Sequence, residues 1–550
     1  MPSILSATSA LALTLALASP VAAQLTATPD IDAARMNEAV RVLASDEFEG
    51  RAPASPGEEK TVAWLVEQFR AAGAEGGGPD GAYVQVAHLS RTRQDGPAVI
   101  AARVRDRTIA LERGPDVLVS SDRPVSHITV TDAPVVFVGY GATAPERQWD
   151  DFKDVDVRGK VIVVLVNDPD FEAAEGDPVA GRFDGQAMTF YGRWTYKFQE
   201  AGRRGAAGVL VVHETAGAGY GWSTLQNSSA APKFDIVRAD PDADRAPFQG
   251  WIQRAKAEEL FRAAGLDFAA LKYSARRADF RPVVLPGVTL SVDFGQIADR
   301  VETRNVLARI PGAARPDETI IYGAHWDGYG VGTPDASGDK IYNAAVDNAT
   351  GVAALLELAH AFAAGPRPQR SVVFAAWSGE EAGLLGSTYY AANPVWPLEK
   401  TVANINVDSL LPGTEIDPNV VVIGKGKNQL DEVLARHATA AGRTLIADPA
   451  PQAGAFYRSD HFPLALRGVP ALFPAAGFTG ASAASRDYVQ NRYHQPSDAW
   501  DETWRMDAAA ADVALIYAVG RDLADSDAWP EWNAGAEFGP ARDQSKAQRR

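Results

Sequence analysis

Cysteine is absent from this chain of 550 residues. That absence excludes a disulfide framework, a thiolate metal site and a lipid-modified cysteine anchor. Positive charge is scarce, since 53 Lys and Arg face 70 Asp and Glu for a formal net charge of −17. A nucleic acid is therefore excluded as the main partner, because phosphate binding needs a basic face. What is present in quantity is apolar sequence, 46% of residues, which is ample for two or three domains with cores of their own.

Residues 1–23 have the pattern of a removable export signal. Leu11–Ala18 form an apolar core, and Val21-Ala-Ala23 offers small residues at a cleavage point before Gln24. No Lys or Arg precedes the core, which is atypical for a signal, and the alternative is an N-terminal membrane anchor. The run is too short to span a bilayer comfortably, and no later segment is long enough. We expect an exported protein, periplasmic or secreted, with no membrane span.

The periodicity of the apolar residues divides the rest of the chain. Residues 24–127 open with helices, one near Ala33–Leu43 and one that Ser55 caps. Residues 128–290 predict a β-rich unit with few helices, and Tyr220–Asp242 within it is typical of loops. Residues 291–523 alternate strands and helices, which predicts an α/β sheet with helices on both faces. We expect residues 524–550 to form a loosely ordered tail.

Glu380 and Glu381 follow Ser371–Ala376, an apolar run that predicts a buried strand. Adjacent like charges at such a position repel each other unless a partner is present. A metal ion is one suitable partner, because one carboxylate can bind the ion while the other moves protons. The alternative is a solvated pair that opens a helix and is favoured by the helix dipole.

Other polar residues fall at predicted strand ends or beside them, and the usual topology of α/β sheets gathers such positions at one edge. They are His325, Asp347, Asp408 and His494. Imidazoles and carboxylates without thiols make a nitrogen and oxygen site that suits zinc, with manganese or cobalt as substitutes. Taken singly, His325 has the alternative of a core histidine and Asp347 that of a helix cap. Their coincidence favours a metal site, with one carboxylate bridging two ions.

This order of ligands resembles the zinc aminopeptidases and carboxypeptidases of metallopeptidase family 28. The local motifs that carry the resemblance are Gly323-Ala-His-Trp-Asp327, Asp347-Asn-Ala-Thr-Gly351, Ser378-Gly-Glu-Glu-Ala-Gly383, Asn406-Val-Asp408 and Tyr493-His494. The resemblance covers about residues 31–523. It implies the zinc-peptidase fold, with a mixed, mostly parallel central sheet across residues 24–127 and 291–523. Residues 128–290, with Tyr191-Gly-Arg-Trp194 and Gly205–Leu210, resemble the protease-associated domain that many members carry as an insert.

The resemblance also implies a role for each matched residue. Two zinc ions are expected, bridged by Asp347, with His325 and Asp408 completing one ion and Glu381 and His494 completing the other. Glu380 would be the general base that moves the proton of a water between the ions.

Two further roles are implied. Asp327 would orient His325, and Tyr493 would donate to the oxyanion, although a packed aromatic is an alternative for Tyr493. Tyr457–His461 matches a family loop near the substrate pocket, and His461 is not assigned to metal because the ligand set is already filled.

The implied activity is a zinc-dependent metallopeptidase, an aminopeptidase that acts on peptides with a free N-terminus. Three alternatives stay open. A carboxypeptidase or dipeptidase of the same family would need a basic pocket, in which the sequence cannot place Arg458 or Arg492. A glutaminyl-cyclase-like acyltransferase would use one zinc, and a receptor-like protein would have lost its ligands. Residue preference and oligomeric state are not fixed by the sequence.

Overall fold

The computed structural model describes residues 31–229, 232–475 and 482–549. The expected export signal, residues 1–23, lies outside these ranges. Within them, no helix is both long enough and apolar enough to cross a membrane.

The described residues form twenty strands. They are β1 (Glu75–Gly76), β2 (Val84–Val104), β3 (Arg107–Ala110), β4 (Val117–Ser120), β5 (His127–Phe137), β6 (Thr143–Ala144), β7 (Trp149–Asp150), β8 (Val161–Leu165), β9 (Gly208–His213), β10 (Lys233–Ile236), β11 (Phe248–Gln253), β12 (Val283–Ile310), β13 (Arg315–His325), β14 (Gly330–Val331), β15 (Ile341–Tyr342), β16 (Arg370–Trp377), β17 (Thr401–Asn406), β18 (Asn419–Ile423), β19 (Thr444–Ala447) and β20 (Ala471–Ala475).

The helices are α1 (Ala33–Leu43), α2 (Pro56–Ala71), α3 (Trp194–Arg203), α4 (Thr215–Ala218), α5 (Trp222–Ser228), α6 (Arg254–Ala263), α7 (Phe268–Ser274), α8 (Thr350–Ala364), α9 (Leu385–Ala392), α10 (Leu430–Ala440), α11 (His461–Leu466), α12 (Ala483–Asn491), α13 (Asp507–Asp525) and α14 (Gly539–Gln544). The predicted start of α2 is confirmed, since Ser55 Oγ accepts a hydrogen bond from the Glu58 N–H at 3.4 Å.

One mixed sheet runs through the molecule. Its main path is β19-β18-β20-β17-β13-β16-β12-β5-β8-β9-β11-β4. At one end β16, β13, β17 and β20 pair in parallel, and every residue of β16 and β17 is buried. A strand covered on both faces needs such a continuous apolar run. The α/β class predicted from the sequence is confirmed.

Two long strands join the two ends of this sheet. The β12 strand pairs with β16 through Val306–Ile310 and with β5 through residues 283–295, and β2 runs antiparallel beside it. The largest core packs α1, α2, α8 and α13 against the parallel end. A second core lies in the other unit and includes residues from Ile100 to Phe294. The assignment of residues 128–290 to a protease-associated insert stays a prediction.

Two local expectations were wrong. Tyr220–Asp242 contains α5 and β10, and β10 pairs with β2. The C-terminal tail is packed, because Trp532 and Phe538 are buried with Phe456 in one cluster and the buried Arg542 guanidinium donates to the Thr401 carbonyl at 3.0 Å. In both cases the partner lies far away in sequence.

Candidate metal centre

Three parallel strands deliver polar side chains to the same edge of the sheet. The β13 strand ends at His325, between β16, which is followed by Glu380 and Glu381, and β17, which is followed by Asp408. Because the three strands share a direction, their carboxyl ends meet at one edge. The gathering predicted from the sequence is present in the structure.

Asp347 reaches this edge from an irregular turn. Ala345–Ala349 form a π-helical turn before α8 rather than its first turn, and the Asp347 N–H donates to the Asp498 carboxylate at 3.1 Å. His494 arrives from the loop between α12 and α13 with a φ of 58°. Two separate loops therefore close over the strand ends.

The side chains form two groups that share Asp347. In the first, His325 Nε2 lies 3.1 Å from Asp347 Oδ1 and 3.5 Å from Asp408 Oδ1. In the second, His494 Nε2 lies 3.3 Å from Asp347 Oδ2 and 3.3 Å from Glu381 Oε2. The two oxygens of Asp347 thus face different histidines. Each group offers three ligand atoms close enough together to hold one metal ion.

Two of the candidate ligand atoms have no hydrogen-bond partner among the described residues, and their chemistry suits zinc. His325 Nε2 and Glu381 Oε1 are buried, and neither has a hydrogen-bond partner among the described residues. Buried polar atoms normally have a partner, so a convergent pair of orphans indicates a missing ligand. Imidazole nitrogens and carboxylate oxygens are the donors that zinc accepts. The residues present therefore fit two zinc ions.

The electrostatics of the group point the same way. Burial, and next the charge of Asp347, raises the pKa of Glu381 to about 8. Burial also raises the pKa of Glu380 well above its usual range. For Asp347 burial acts upward, but the two imidazoles beside it, those of His325 and His494, outweigh it and lower its pKa. A divalent cation would relieve the repulsion among these carboxylates.

The Asp327 carboxylate lies near His325 but makes its hydrogen bonds elsewhere. Its carboxylate lies 3.7 Å from His325 Nδ1, too far for a hydrogen bond, whereas its backbone carbonyl lies 3.2 Å from the same nitrogen. The carboxylate instead accepts the backbone N–H groups of Glu380 at 3.1 Å and Glu381 at 3.3 Å. The Asp327 carboxylate therefore fixes the backbone of Glu380 and Glu381. Its backbone carbonyl contacts the His325 imidazole.

A small cavity opens beside the metal group. Asp347, Glu380, Asp408 and Tyr493 line it, and its volume of about 30 Å³ leaves room for about two waters. The Tyr493 ring stacks on His494 with 3.5 Å between centroids. The structure thus places the expected base and the expected oxyanion donor at one cavity.

His461 is not brought into the ligand set. Its ring is buried against Phe456 and Phe473, with centroids 4.5 Å and 5.2 Å away. Burial lowers its pKa to about 3. This neutral ring in an apolar cage agrees with leaving it unassigned.

Residues 305–518 match the family model described as peptidase family M28. The matched segment, which is less than half of the chain, is similar to that family. All the expected zinc ligands lie inside the matched segment.

The curated relatives align over short segments. Aminopeptidase NAALADL1 of Mus musculus is 40% identical over 121 residues, 20% of this chain and 15% of the relative. Probable glutamate carboxypeptidase VP8 of Zea mays is 35% identical over 135 residues, 23% of this chain and 17% of the relative. The chain therefore spans less than a fifth of the length of either relative.

Two solved structures align over most of the chain. The aminopeptidase from Aneurinibacillus sp. strain AM-1 is 19% identical with a TM-score of 0.48, covering 90% of this chain and 94% of that one. The zinc aminopeptidase BSAP from Bacillus subtilis is 16% identical with a TM-score of 0.44, covering 91% and 96%.

Several residues that support the site were missed by the sequence reasoning. Asp498 holds the Asp347 turn by accepting the N–H groups of Val346 and Asp347. Ser459 Oγ donates to Asp408 Oδ2 at 2.6 Å, and Tyr329 Oη lies 3.0 Å from His494 Nδ1. Asp498 follows four residues after the expected ligand His494, so its position was a usable signal.

Arg51 lies outside the segment matched to family M28. Its buried guanidinium donates to the carbonyls of Trp326, Asn343 and Ala344 at 2.7–2.8 Å. It thereby joins the chain after His325 to the chain before Asp347. No local pattern marks this arginine, because the three carbonyls that it joins lie 275 to 293 residues away in sequence.

A larger cavity of about 560 Å³ lies on the other side of β17. Leu410–Val421, Ser482 and Asp512 line it, and no expected zinc ligand does. The small cavity is therefore the one that lies beside the candidate metal ligands.

Proposed function

We propose that this chain is an exported aminopeptidase that binds two zinc ions and removes N-terminal residues from peptides. The observation that carries the proposal is the pair of three-ligand groups sharing Asp347 beside the cavity that Glu380 lines. The similarity of residues 305–518 to peptidase family M28 supports the same function.

The residues divide between the two ions. His325 and Asp408 would complete one ion and Glu381 and His494 the other, with Asp347 between them. When bound, the zinc ions would lower the pKa of a shared water and polarise the scissile carbonyl.

Glu380 is the proposed proton carrier. Its carboxyl lines the cavity, and its backbone N–H is held by Asp327, so its position is fixed before a substrate arrives. Its carboxylate takes a proton from the attacking water and delivers it to the nitrogen of the leaving amine. A positioned carboxylate of this kind contributes about 10²–10⁴-fold in rate.

Tyr493 is the proposed donor to the oxyanion. Its ring is fixed by stacking on His494, and it faces the same cavity as Glu380. Its hydroxyl would donate to the carbonyl oxygen as negative charge develops there.

The remaining parts of the proposal concern the protein's localisation and its domain organisation. We take residues 1–23 as the export signal and residues 128–290 as a protease-associated insert. A receptor-like function without metal is disfavoured, because a residue able to bind metal stands at every expected ligand position. Cell fractionation tests the export proposal, since an intact N-terminus on a cytoplasmic protein would contradict it.

The test compares aminoacyl anilides with N-blocked peptides, with and without a chelator. We expect activity on free amino termini that the chelator removes and zinc restores. Glu380→Gln should keep two zinc ions per chain and lose about 10²–10⁴-fold in kcat. Wild-type turnover in that variant would sink the mechanism.

A second candidate is a carboxypeptidase or dipeptidase of the same family. It is favoured by one observation, the presence of Arg458 among the residues that line the small cavity. Cleavage of N-blocked peptides, with no requirement for a free amine, would select this candidate.

A further inference from the structure

An aromatic side chain forms part of the buried wall of the small cavity. Phe473, on β20, lines the cavity together with Ser409 and Ser459, and all three residues are buried. Arg458 is exposed among the lining residues, so it marks the side that is open to solvent. The space for a substrate side chain beside the metal group is therefore bounded by Phe473.

The Phe473 ring has no room to move away from the cavity, because other rings fill the space behind it. Its centroid lies 5.2 Å from that of His461, which lies 4.5 Å from that of Phe456. Phe456 stacks in turn on Phe538 at 5.9 Å, and a methyl group added at Gly424 would lie 2.3 Å from the Phe456 ring. Close-packed cores resist added atoms, so this wall is rigid.

The space in front of the wall is small. The cavity has a volume of about 30 Å³, enough for about two waters. Glu380 and Tyr493 line the same space, so the scissile carbonyl has to lie there as well. A methyl or hydroxymethyl side chain is similar in size to one or two of those waters, whereas a leucine or phenylalanine side chain would have to displace the Phe473 ring.

We propose that Phe473 determines the substrate specificity of this site, limiting the first residue of the peptide to glycine, alanine or serine. The inference rests on the proposed aminopeptidase function and adds a substrate class to it. A misfit of a single methylene in a pocket changes kcat/KM by about 10–200-fold. A rigid wall therefore gives a strong preference between side chains that differ by several carbon atoms.

The experiment compares Ala-Leu amide with Leu-Ala amide, which have the same composition and differ in the residue that comes first. With zinc-loaded wild-type protein we expect kcat/KM to be about 10–200-fold higher for Ala-Leu amide. Calorimetric titration of zinc-loaded Glu380→Gln protein measures binding without turnover, and Ala-Leu amide should bind at least about 10-fold more tightly. A preference for Leu-Ala amide in both measurements would mean that the cavity holds the second residue, which overturns the proposal.

Variants of the wall decide whether Phe473 is responsible. Phe473→Ala removes the ring, so Leu-Ala amide should gain about 10–100-fold in kcat/KM while Ala-Leu amide changes by less than about threefold. Phe473→Val leaves less empty space in the core and should give a smaller shift in the same direction. An unchanged preference in both folded variants overturns the role of Phe473.

The matched control is Phe538→Ala. Phe538 is buried in the same aromatic cluster but is not among the described residues that line the cavity. Its variant should therefore loosen the core and keep the preference for Ala-Leu amide. Melting curves establish that each of the three variants is folded.

Failure of this inference and failure of the peptidase proposal give different results. Wild-type protein that cleaves and binds both dipeptides equally overturns the specificity role and leaves the peptidase proposal intact. Protein that cleaves neither dipeptide, yet binds Ala-Leu amide more tightly in a way that Phe473→Ala abolishes, overturns the peptidase proposal and supports the specificity role.

Discussion

Residues 128–290 and residues 305–518 each bury a cluster of charged side chains, and the two clusters are satisfied in different ways. In the first, Lys197 Nζ donates to the carbonyls of Tyr140, Asn167 and Tyr191 at 2.6–3.1 Å. The nearby Asp168 accepts two hydrogen bonds from Thr189 at 2.7 Å. Every one of these charges has a protein partner.

The cluster at the sheet edge is satisfied only in part. His325 Nε2 and Glu381 Oε1 are buried without a hydrogen bond among the described residues. The backbone beside them is fixed, because Asp327 accepts the Glu380 N–H and Asp498 accepts the Asp347 N–H. Buried charge with complete partners indicates a structural role, whereas buried ligand-type atoms without partners on a fixed backbone indicate a ligand site.

The largest expected effect follows from removing the shared ligand. Asp347→Asn leaves one oxygen where two are needed, so we expect it to lose zinc and to lose roughly 10⁴-fold or more in kcat/KM, because both proton transfer and charge stabilisation fail. Metal analysis and anilide hydrolysis measure the two losses. Asp106→Asn, an exposed carboxylate, is the control. Full zinc content in Asp347→Asn would contradict the assignment of the sheet-edge cluster as a zinc site.

The matching change in the other unit is Lys197→Met. Burial lowers the pKa of Lys197 to about 8 and raises that of Asp151 to about 7, so the removal leaves buried carboxylates without their cation. We expect unfolding to become easier by about 3–5 kcal/mol with zinc content unchanged. Denaturant melts and metal analysis report both quantities, with exposed Lys340→Met as control. A variant that unfolds normally but binds less zinc would reverse the assignment.

Tyr493→Phe tests whether the Tyr493 hydroxyl in the cavity wall takes part in the reaction. Loss of an oxyanion donor should lower kcat about 10²–10³-fold, with KM and zinc content nearly unchanged. A ring that merely packs on His494 would keep its kcat after this substitution. Tyr273→Phe, whose ring is 66% exposed, serves as the reference for a tyrosine without such a role.

Much of the fold was predictable because its elements are specified by residues that are close together in sequence. Ala33–Leu43 and the start at Pro56 follow from apolar spacing and a serine cap, and the strand ends at His325 and Trp377 follow from apolar runs that stop at polar residues. These signals lie within a few residues of the elements they specify.

The missed features depend on partners that are distant in sequence. The tail was expected to be loosely ordered, yet Trp532 and Phe538 pack on Phe456. Arg51 and Asp327 support the site through hydrogen bonds to backbone groups of other elements, the Trp326 carbonyl and the Glu380 N–H. Residue type predicted the zinc ligands, but it did not predict which groups would hold them in place.

His461 extends the comparison within the segment matched to family M28, and its expected effect is the smallest. Unlike His325 and His494 it lies in an apolar cage, and burial lowers its pKa to about 3 from an ordinary value of 6.5. Its folded pKa is depressed, so its contribution to stability is present above about pH 6.5 and is lost as the pH falls towards 3. The slope in that window should be up to about 1.4 kcal/mol per pH unit.

The measurement is denaturant unfolding from pH 7 to pH 4 with chelator present, so that release of zinc does not enter. His461→Phe should flatten the slope whatever it does to the absolute stability, because the slope counts protons and the absolute value also reflects packing. His127→Phe, on a side chain that is 54% exposed, should keep it. An unchanged slope in His461→Phe would mean that this ring already binds its proton in the folded protein, and the apolar cage would then need a hydrogen-bond acceptor for it.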